Sequence, residues 1–427
     1  MKYKSSVIIA FAVLLIFLGT YFLPFLKSAN TENRTLATFG MVVRPEKDSV
    51  VYRDSPAERL DAALSDQFAF REAAVNRYLR LFNSTENFVY GLMKRFDKAE
   101  EHQYSLQVVG DYVLIKDTEY ISVYPYTTPL SEADLQKHAD QIRLLHDLYP
   151  DLKMYVYYVT QAYDTSWFDD FIGTTSGDHY REIKEALPDY VDTDCLVYED
   201  LADYLNIHFK TDHHWNHRGA QRGYENICAM LRDDFELGKI RVPVSEFAAS
   251  DTYGFRFRGS YAKGLGKMYQ GTFDDFSFYE YDLPDRETAA IDPETRREIP
   301  LEKIGLYDEY SRGEIDKSKN MDHYIRMYGA GRGTDGELYK DSAYPFVIRN
   351  SEGNGRNLLI VGDSYGRAVR DPLASHFDTT VYIDYRNLAA VPIDYLIEHY
   401  GIDAMVLCSH VSLWNENGYY FTFGEDE

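Results

Sequence analysis

The sequence predicts an α/β protein: a mostly parallel sheet flanked by helices, with an N-terminal transmembrane helix. Three observations predict it. Short apolar runs such as Lys153–Thr160 and Asn357–Val361 are rich in aromatic or branched aliphatic residues, as strands buried on both faces are. Helical stretches separate them, which is the βαβ rhythm of a parallel sheet. Ahead of them, Val7–Leu26 is an uncharged and mostly apolar run, and about 20 such residues span the hydrocarbon core as a helix.

That run follows Lys2 and Lys4. A cleaved signal peptide has a shorter apolar stretch and a small-x-small site, and none stands near Lys27-Ser28-Ala29-Asn30. The segment therefore reads as an uncleaved anchor. Lys2 and Lys4 favour a cytoplasmic N-terminus, although Lys27 and Arg34 follow the span. Residues 28 to 56 read as a polar stalk. From Ala57 to Phe96, apolar residues such as Leu60, Leu64, Phe68 and Tyr78 recur at helical spacing, and Ser55-Pro56 supplies a start. Residues 105 to 115 read as a hairpin around Gly110-Asp111, and residues 131 to 149 as a helix with Leu135, Ile142, Leu145 and Leu148 as its apolar positions. Further strands are expected at Cys195–Tyr198, Val381–Asp384 and Ala404–Cys408, and a further helix at 218 to 236. Residues 251 to 349, rich in Gly, Tyr and charge, read as loops and small strands decorating the sheet.

The chain has 427 residues and a formal net charge of −24, a balance that repels phosphate backbones and argues against nucleic-acid binding. Its three cysteines, Cys195, Cys228 and Cys408, form no C-x-x-C pair, so neither a zinc ribbon nor a disulfide framework is expected.

Two segments carry chemistry. In Leu358-Leu359-Ile360-Val361-Gly362-Asp363-Ser364 an apolar strand runs into Gly-Asp-Ser, and a helical stretch follows. Ser364 then stands at a helix N-terminus, where N–H groups and the dipole can stabilise an oxyanion. The same three residues also suit a plain turn. In Thr211-Asp212-His213-His214-Trp215, Asp212 and His214 could supply the carboxylate and base that a serine nucleophile needs. The competing reading is a metal site, because Asp212, His208, His213, His214 and His217 are all competent ligands.

Together, the Asp212-x-His214-Trp215 element and the downstream Gly362-Asp363-Ser364 element resemble the SGNH-like hydrolases among the alginate O-acetylation proteins. They resemble more closely the bacterial family named after its Asp-His-His-Trp (DHHW) motif. Glu32–Ala37, Asp66–Arg71 and Ile383–Arg386 look like further elements of that family, so the likeness runs from about residue 30 to about 410. It implies an SGNH-hydrolase-like fold with the triad order permuted: Ser364 as nucleophile, His214 as base and Asp212 as its partner, with His213 at a variable position. The backbone N–H of Ser364 would be one oxyanion donor. The block expected to give a second reads Tyr328-Gly329-Ala330-Gly331-Arg332-Gly333 and lacks the expected Asn, leaving Gly329 or Gly331 as candidates. Arg386 is either structural or a substrate contact, and Trp215 reads as a packing residue.

The resemblance also implies an esterase or O-acetyltransferase acting on an extracytoplasmic polysaccharide, with no metal or cofactor and with a membrane acyl-donor protein as a candidate partner. On this reading residues 1–27 are a cytoplasmic tip and anchor, 28–100 a stalk and helical extension, and 101–427 an SGNH-like catalytic domain with an insertion at about 240–345. Two alternatives stand beside it: a metal-dependent hydrolase built on the Asp-His-His cluster, and a non-catalytic polysaccharide-binding or assembly protein. The Asp-His-His run also resembles, locally, a family of metal-dependent phosphoesterases, but the further aspartates those enzymes carry are not found here.

Overall fold

The computed structural model describes residues 106–109, 112–115, 120–123, 130–165, 178–248, 259–265, 274–300, 331–332, 338–339, 345–388, 391–415 and 420–424, together with Arg77. The expected anchor Val7–Leu26, the expected stalk, the segments Glu32–Ala37 and Asp66–Arg71 and, apart from the helical Arg77, the helix expected over Ala57–Phe96 lie outside these residues. Among the described residues, no helix is long and apolar enough to cross a membrane. The sheet and the site lie in the larger of two compact units.

Strands β1 (Leu106–Val109) and β2 (Tyr112–Ile115) flank Gly110-Asp111, as the hairpin reading expects, and β3 (Tyr120–Val123) pairs antiparallel with β2. Helix α1 (Glu132–Leu148) starts at Ser131, whose hydroxyl accepts the Asp134 N–H. It buries Leu135, Ile142 and Leu145. Leu148 differs from expectation: it is 52% exposed, on the last turn, where the helix has run past the core.

The central sheet has eight strands. β4 (Lys153–Tyr158), α2 (His179–Ala186) and β5 (Asp192–Cys195) form the first βαβ unit. The expected strand at Cys195–Tyr198 thus sits three residues too late. β5 is the edge strand, so its exposed side tolerates Asp192, Thr193 and Asp194, and the apolar signal comes from Leu196 and Tyr198, which enter the core just beyond it. Helices α3 (Leu201–Ile207) and α4 (His217–Leu231) follow. α4 ends earlier than 236: the Asp234 and Phe235 N–H groups both close on Leu231 O, and Asp234 then meets Lys153 Nζ at 2.6 Å.

The inserted region holds an antiparallel ribbon of β6 (Pro243–Ala248) and β7 (Ser277–Tyr281), between which a short helix α5 (Ser260–Leu265) begins. It also holds β8 (Arg286–Ile291), β9 (Glu298–Pro300) and a two-residue ribbon, β10 (Gly331–Arg332) with β11 (Leu338–Tyr339). β8 and β9 are more than decoration. With β12 (Phe346–Asn350) they extend the main sheet by three antiparallel strands.

The rest of the sheet is β13 (Asn357–Gly362), α6 (Ser364–Ala374), β14 (Thr379–Asp384), α7 (Ile393–Tyr400) and β15 (Ala404–Ser409), closed by α8 (Ser412–Asn415). The strand order is β5-β4-β15-β13-β14-β12-β8-β9, and the first five are mutually parallel. β13 lies between β14 and β15, so the chain steps to one side through α6 and back across β13 through α7. Right-handed crossovers in opposite directions put these two helices on opposite faces. β13 is therefore the switch point, and ligands of such sheets bind beyond the carboxyl ends of the strands at that place. Leu358, Leu359, Ile360 and Val361 are fully buried, each worth about 1.5–3 kcal/mol relative to exposure. Cys195, Cys228 and Cys408 are free thiols.

Candidate active site

Ser364 is the first residue of α6, directly after the switch-point strand. Asp363 caps the helix: its Oδ1 accepts the Tyr365 N–H at 2.9 Å. The turn is tight. A Cβ on Gly362 would stand 3.0 Å from the Cys408 carbonyl oxygen and 3.1 Å from Gly366 Cα, so glycine is needed for the close approach. The cap takes the second N–H of the helix and leaves the first, that of Ser364, outside it at the positive end of the helix dipole.

The second half of the site is the loop between α3 and α4. Its ends are tied where Asn216 N–H donates to Ile207 O at 2.8 Å and Phe209 N–H to His214 O at 3.2 Å. Asn216 caps α4 by accepting the Arg218 and Gly219 N–H groups. Trp215 is completely buried. Its side chain fills a slot that exists because residues 219 and 223, one turn apart on α4, are glycines; a Cβ at either would stand 2.7 or 2.6 Å from it. The packing role expected for Trp215 is what the structure shows.

This loop brings His214 to Ser364. Ser364 Oγ lies 2.6 Å from His214 Nε2, and His214 Nδ1 lies 2.5 Å from Asp212 Oδ1. The carboxylate can only accept, so Nδ1 carries the hydrogen and Nε2 is the acceptor facing the serine hydroxyl. Asp212 also takes the His214 N–H at 3.1 Å on Oδ1 and the Ser260 N–H at 2.7 Å on Oδ2. Burial works against its charge, but the imidazoles of His213 and His214 and the Ser260 N–H together hold its carboxyl well below the usual carboxylate range. The arrangement can deprotonate a serine hydroxyl as it attacks a carbonyl and can stabilise the imidazolium that forms.

Several supporting residues carried no local signal in the sequence. Asp274 accepts the Lys210 N–H at 2.6 Å, the Thr211 N–H at 2.9 Å and the Thr211 hydroxyl at 2.5 Å, pinning the loop just before Asp212. Thr211 Oγ1 in turn accepts the Gly259 N–H at 2.8 Å. Burial pushes the Asp274 carboxyl up to about 6 despite these bonds. Ile121 of β3 ties in the same loop from another side, donating to Lys210 O at 2.8 Å. Gly259 lies so close that a Cβ there would meet Asp212 Cβ at 2.2 Å and Oδ2 at 2.4 Å. Gly259→Ala should therefore displace the carboxylate, costing about 1–3 kcal/mol of stability by overpacking and about 10²-fold in turnover, the scale of a misplacement near 1 Å. Thermal melts and steady-state kinetics on the variant check both.

The other candidates separate. His213 packs on the His214 ring, with centroids 3.8 Å apart, and its Nδ1 lies 2.7 Å from Ser260 Oγ, whereas the nitrogen that meets Ser364 belongs to His214. His208 is buried and stacks on Tyr204 with centroids 4.2 Å apart, and burial lowers it to about 3. His217 reaches Glu246 at 3.2 Å. Of the five proposed metal ligands, only Asp212, His213 and His214 bring ligand atoms within 4.8 Å of one another. Both nitrogens of His214 are already engaged, so a metal there would have to displace Asp212 or Ser364.

Arg386 lies in a 3-10 turn (Tyr385–Asn387) at the end of β14. It grips Asp384 with Nε at 2.7 Å and a terminal nitrogen at 2.5 Å, and Arg367 holds the same carboxylate at 2.9 Å. Asp384 and Gly362 are register partners, so this network braces the strand beside the nucleophile turn. Arg386 remains 44% exposed, so it also presents charge outward. Gly329 lies outside the described residues. Gly331 lies in β10.

No protein-family model and no curated protein matches the sequence. Solved structures do. One is a DHHW family protein from Eubacterium siraeum, 15% identical, covering 75% of this chain and 98% of that one, with a TM-score of 0.54. Another is Bacillus cereus PatB1 with a sulfonyl adduct, 17% identical, covering 74% of this chain and all of that one, with a TM-score of 0.52. The O-acetyltransferase domain of Pseudomonas putida AlgJ matches more loosely, at 12% identity and a TM-score of 0.35 over 74% of this chain and 94% of that one. The chain thus has the fold of the DHHW family protein and of PatB1, the likeness that its Asp-His-His-Trp and Gly-Asp-Ser segments predict.

Proposed function

We propose that the chain is a membrane-anchored, extracytoplasmic serine esterase or O-acetyltransferase that acts on cell-surface or exported polysaccharide through an acyl-Ser364 intermediate. One observation carries the reading: Ser364 Oγ, His214 and the buried Asp212 form a continuous relay with links of 2.6 and 2.5 Å. His214 Nε2 takes the hydroxyl proton as Oγ bonds to the acyl carbon. The carbonyl π pair moves onto oxygen, held by the Ser364 N–H and a second donor from the Gly329 or Gly331 backbone. When the oxyanion collapses, the bond to the donor's oxygen breaks, and the imidazolium returns its proton to that oxygen. Water or a sugar hydroxyl then attacks the acyl-serine by the same steps and restores Ser364. Arg386, half-exposed beside the turn, is the candidate to steer substrate.

The polysaccharide and the acetyl group rest on the DHHW and alginate-protein resemblance, and the location rests on Val7–Leu26 with Lys2 and Lys4 inside. A membrane protein delivering the acyl group is the partner this arrangement suits. The metal-dependent reading keeps one observation in its favour, the closeness of Asp212, His213 and His214.

The test is a chain beginning near Asn30, incubated with an activated aryl acetate with and without polysaccharide. The proposal expects release of the phenol, unaffected by a chelator and largely retained in His213→Gln. Free acetate marks an esterase, and acetylated glycan a transferase. Absence of turnover with either acceptor, or its loss on chelation and in His213→Gln alike, overturns the serine reading.

A further inference from the structure

A second chain of Asp, imidazole and hydroxyl lies beside the first. Asp363, the residue before Ser364, is 2% exposed. Its Oδ1 is committed to the Tyr365 N–H, and its Oδ2 lies 2.8 Å from His410 Nδ1. His410 Nε2 lies 2.9 Å from Ser412 Oγ. The topology makes this possible. β13 and β15 are parallel neighbours with Gly362 opposite Cys408, so His410 emerges two residues later on the same edge as Ser364. Its ring also packs on Tyr365, with centroids 5.1 Å apart. The Asp212–His214–Ser364 relay uses none of these side chains.

A buried carboxylate at this place opposes catalysis unless it is restrained. Negative charge develops next to the Ser364 N–H, within one residue of Asp363, and like charges in a partly dry site repel strongly. A carboxylate held by one hydrogen bond could also swing toward the first N–H of α6, the one the oxyanion needs. Resting on the reading of Ser364 as nucleophile, we propose that His410 is a positioning residue for the oxyanion site. Its Nδ1–H fixes Asp363 Oδ2, which locks Oδ1 onto Tyr365 and keeps the Ser364 N–H directed at substrate. It also sets a proton-bearing group against the carboxylate that faces the developing charge. Ser412 holds the far nitrogen of the ring and so fixes its plane. Other charged or titratable groups bearing on this pair are Arg386, His213, Cys408, Tyr382 and Tyr365.

The experiment compares His410→Leu, His410→Asn and Asp363→Asn in the full chain, with Ser364→Ala as reference. His410→Leu should lower kcat about ten- to hundredfold, the scale of mispositioned catalytic groups, with KM little changed. His410→Asn keeps a donor at the Nδ1 position and should recover most of the loss, which a role in packing alone would not produce. If His410→Leu folds poorly, His410→Ala takes its place, alone and on Asp363→Asn: with no carboxylate to restrain, losing the imidazole from the Asp363→Asn variant should cost no further activity. Wild-type kcat in a folded His410→Leu, equal losses in the Leu and Asn variants, or fully additive losses with Asp363→Asn would each overturn the proposal. So would a serine-directed phosphonate that labels Ser412, since Ser412 would then be a nucleophile itself. Activity surviving in Ser364→Ala would instead remove the nucleophile, a different failure that this comparison reads separately.

Discussion

Ser364→Ala and His214→Ala should each lower kcat by about 10⁴-fold or more, and the double variant should be no worse than the weaker single one. The reason is geometric. With Nε2 2.6 Å from Oγ, neither group has a function in the chemical step without the other. Removing the hydroxyl leaves a base with nothing to deprotonate, and removing the imidazole leaves a hydroxyl with its proton. What survives is binding and the oxyanion site, which both single variants and the double variant share. Ser364→Ala should change stability little, because Ser364 is only part-buried, whereas His214→Ala removes a buried imidazole and leaves Asp212 a partner short, so it should melt lower while still folding. Multiplicative losses would mean that the two residues act separately. Steady-state kinetics on the three variants, with melting curves to confirm folding, decides it.

Asp212→Asn should be nearly as severe, about 10⁴-fold in kcat. The amide cannot satisfy its surroundings in either orientation. Asp212 faces three donors, His214 Nδ1–H at 2.5 Å and His214 N–H at 3.1 Å on one oxygen and Ser260 N–H at 2.7 Å on the other. If the amide oxygen meets the imidazole, its NH₂ confronts the Ser260 N–H. If it is flipped, Nδ1 must become an acceptor, the hydrogen moves to Nε2, and the base no longer accepts the serine proton. A buried donor left unpaired costs about 1–3 kcal/mol, so the variant should also melt lower. The pH dependence has a definite sign. The Asp212 carboxyl is depressed in the folded state, so its contribution to stability is present above the ordinary carboxylate value of 3.8 and is lost as pH falls through its folded value. The difference in Tm between wild type and Asp212→Asn should therefore narrow on acidification. A gap that widened would place the stabilising charge elsewhere.

What the sequence revealed, and what it withheld, follows from how far apart the cooperating residues lie. The strand, turn and nucleophile of Leu358–Ser364 are consecutive, so apolar run, glycine and cap all speak in one window. Asp212 and His214 are likewise two residues apart. The parallel strands β4, β13 and β15 are buried on both faces and read as mostly apolar runs, β14 is legible only from Val381 because Thr379 and Thr380 open it, and the edge strand β5 hides its register behind Asp192 and Asp194. Asp274, Gly259 and Ser260 lie some fifty to sixty residues beyond the loop they support, in a stretch with no periodicity. Their roles exist only once the ribbon of β6 and β7 brings them back. His410 is similar: nothing in Ser409-His410-Val411 marks it until β15 docks beside β13. The triad is thus a local feature, and its support is a tertiary one.

The central claim is that Ser364 carries the acyl group. Its most direct measurement is mass spectrometry of the protein quenched during turnover of an activated acetyl ester, followed by peptide mapping. The account predicts one added acetyl group, located on Ser364, absent in Ser364→Ala and in His214→Ala, and lost when an acceptor hydroxyl is supplied. Turnover with no acetylated peptide, or with the acetyl group on another residue, would contradict it.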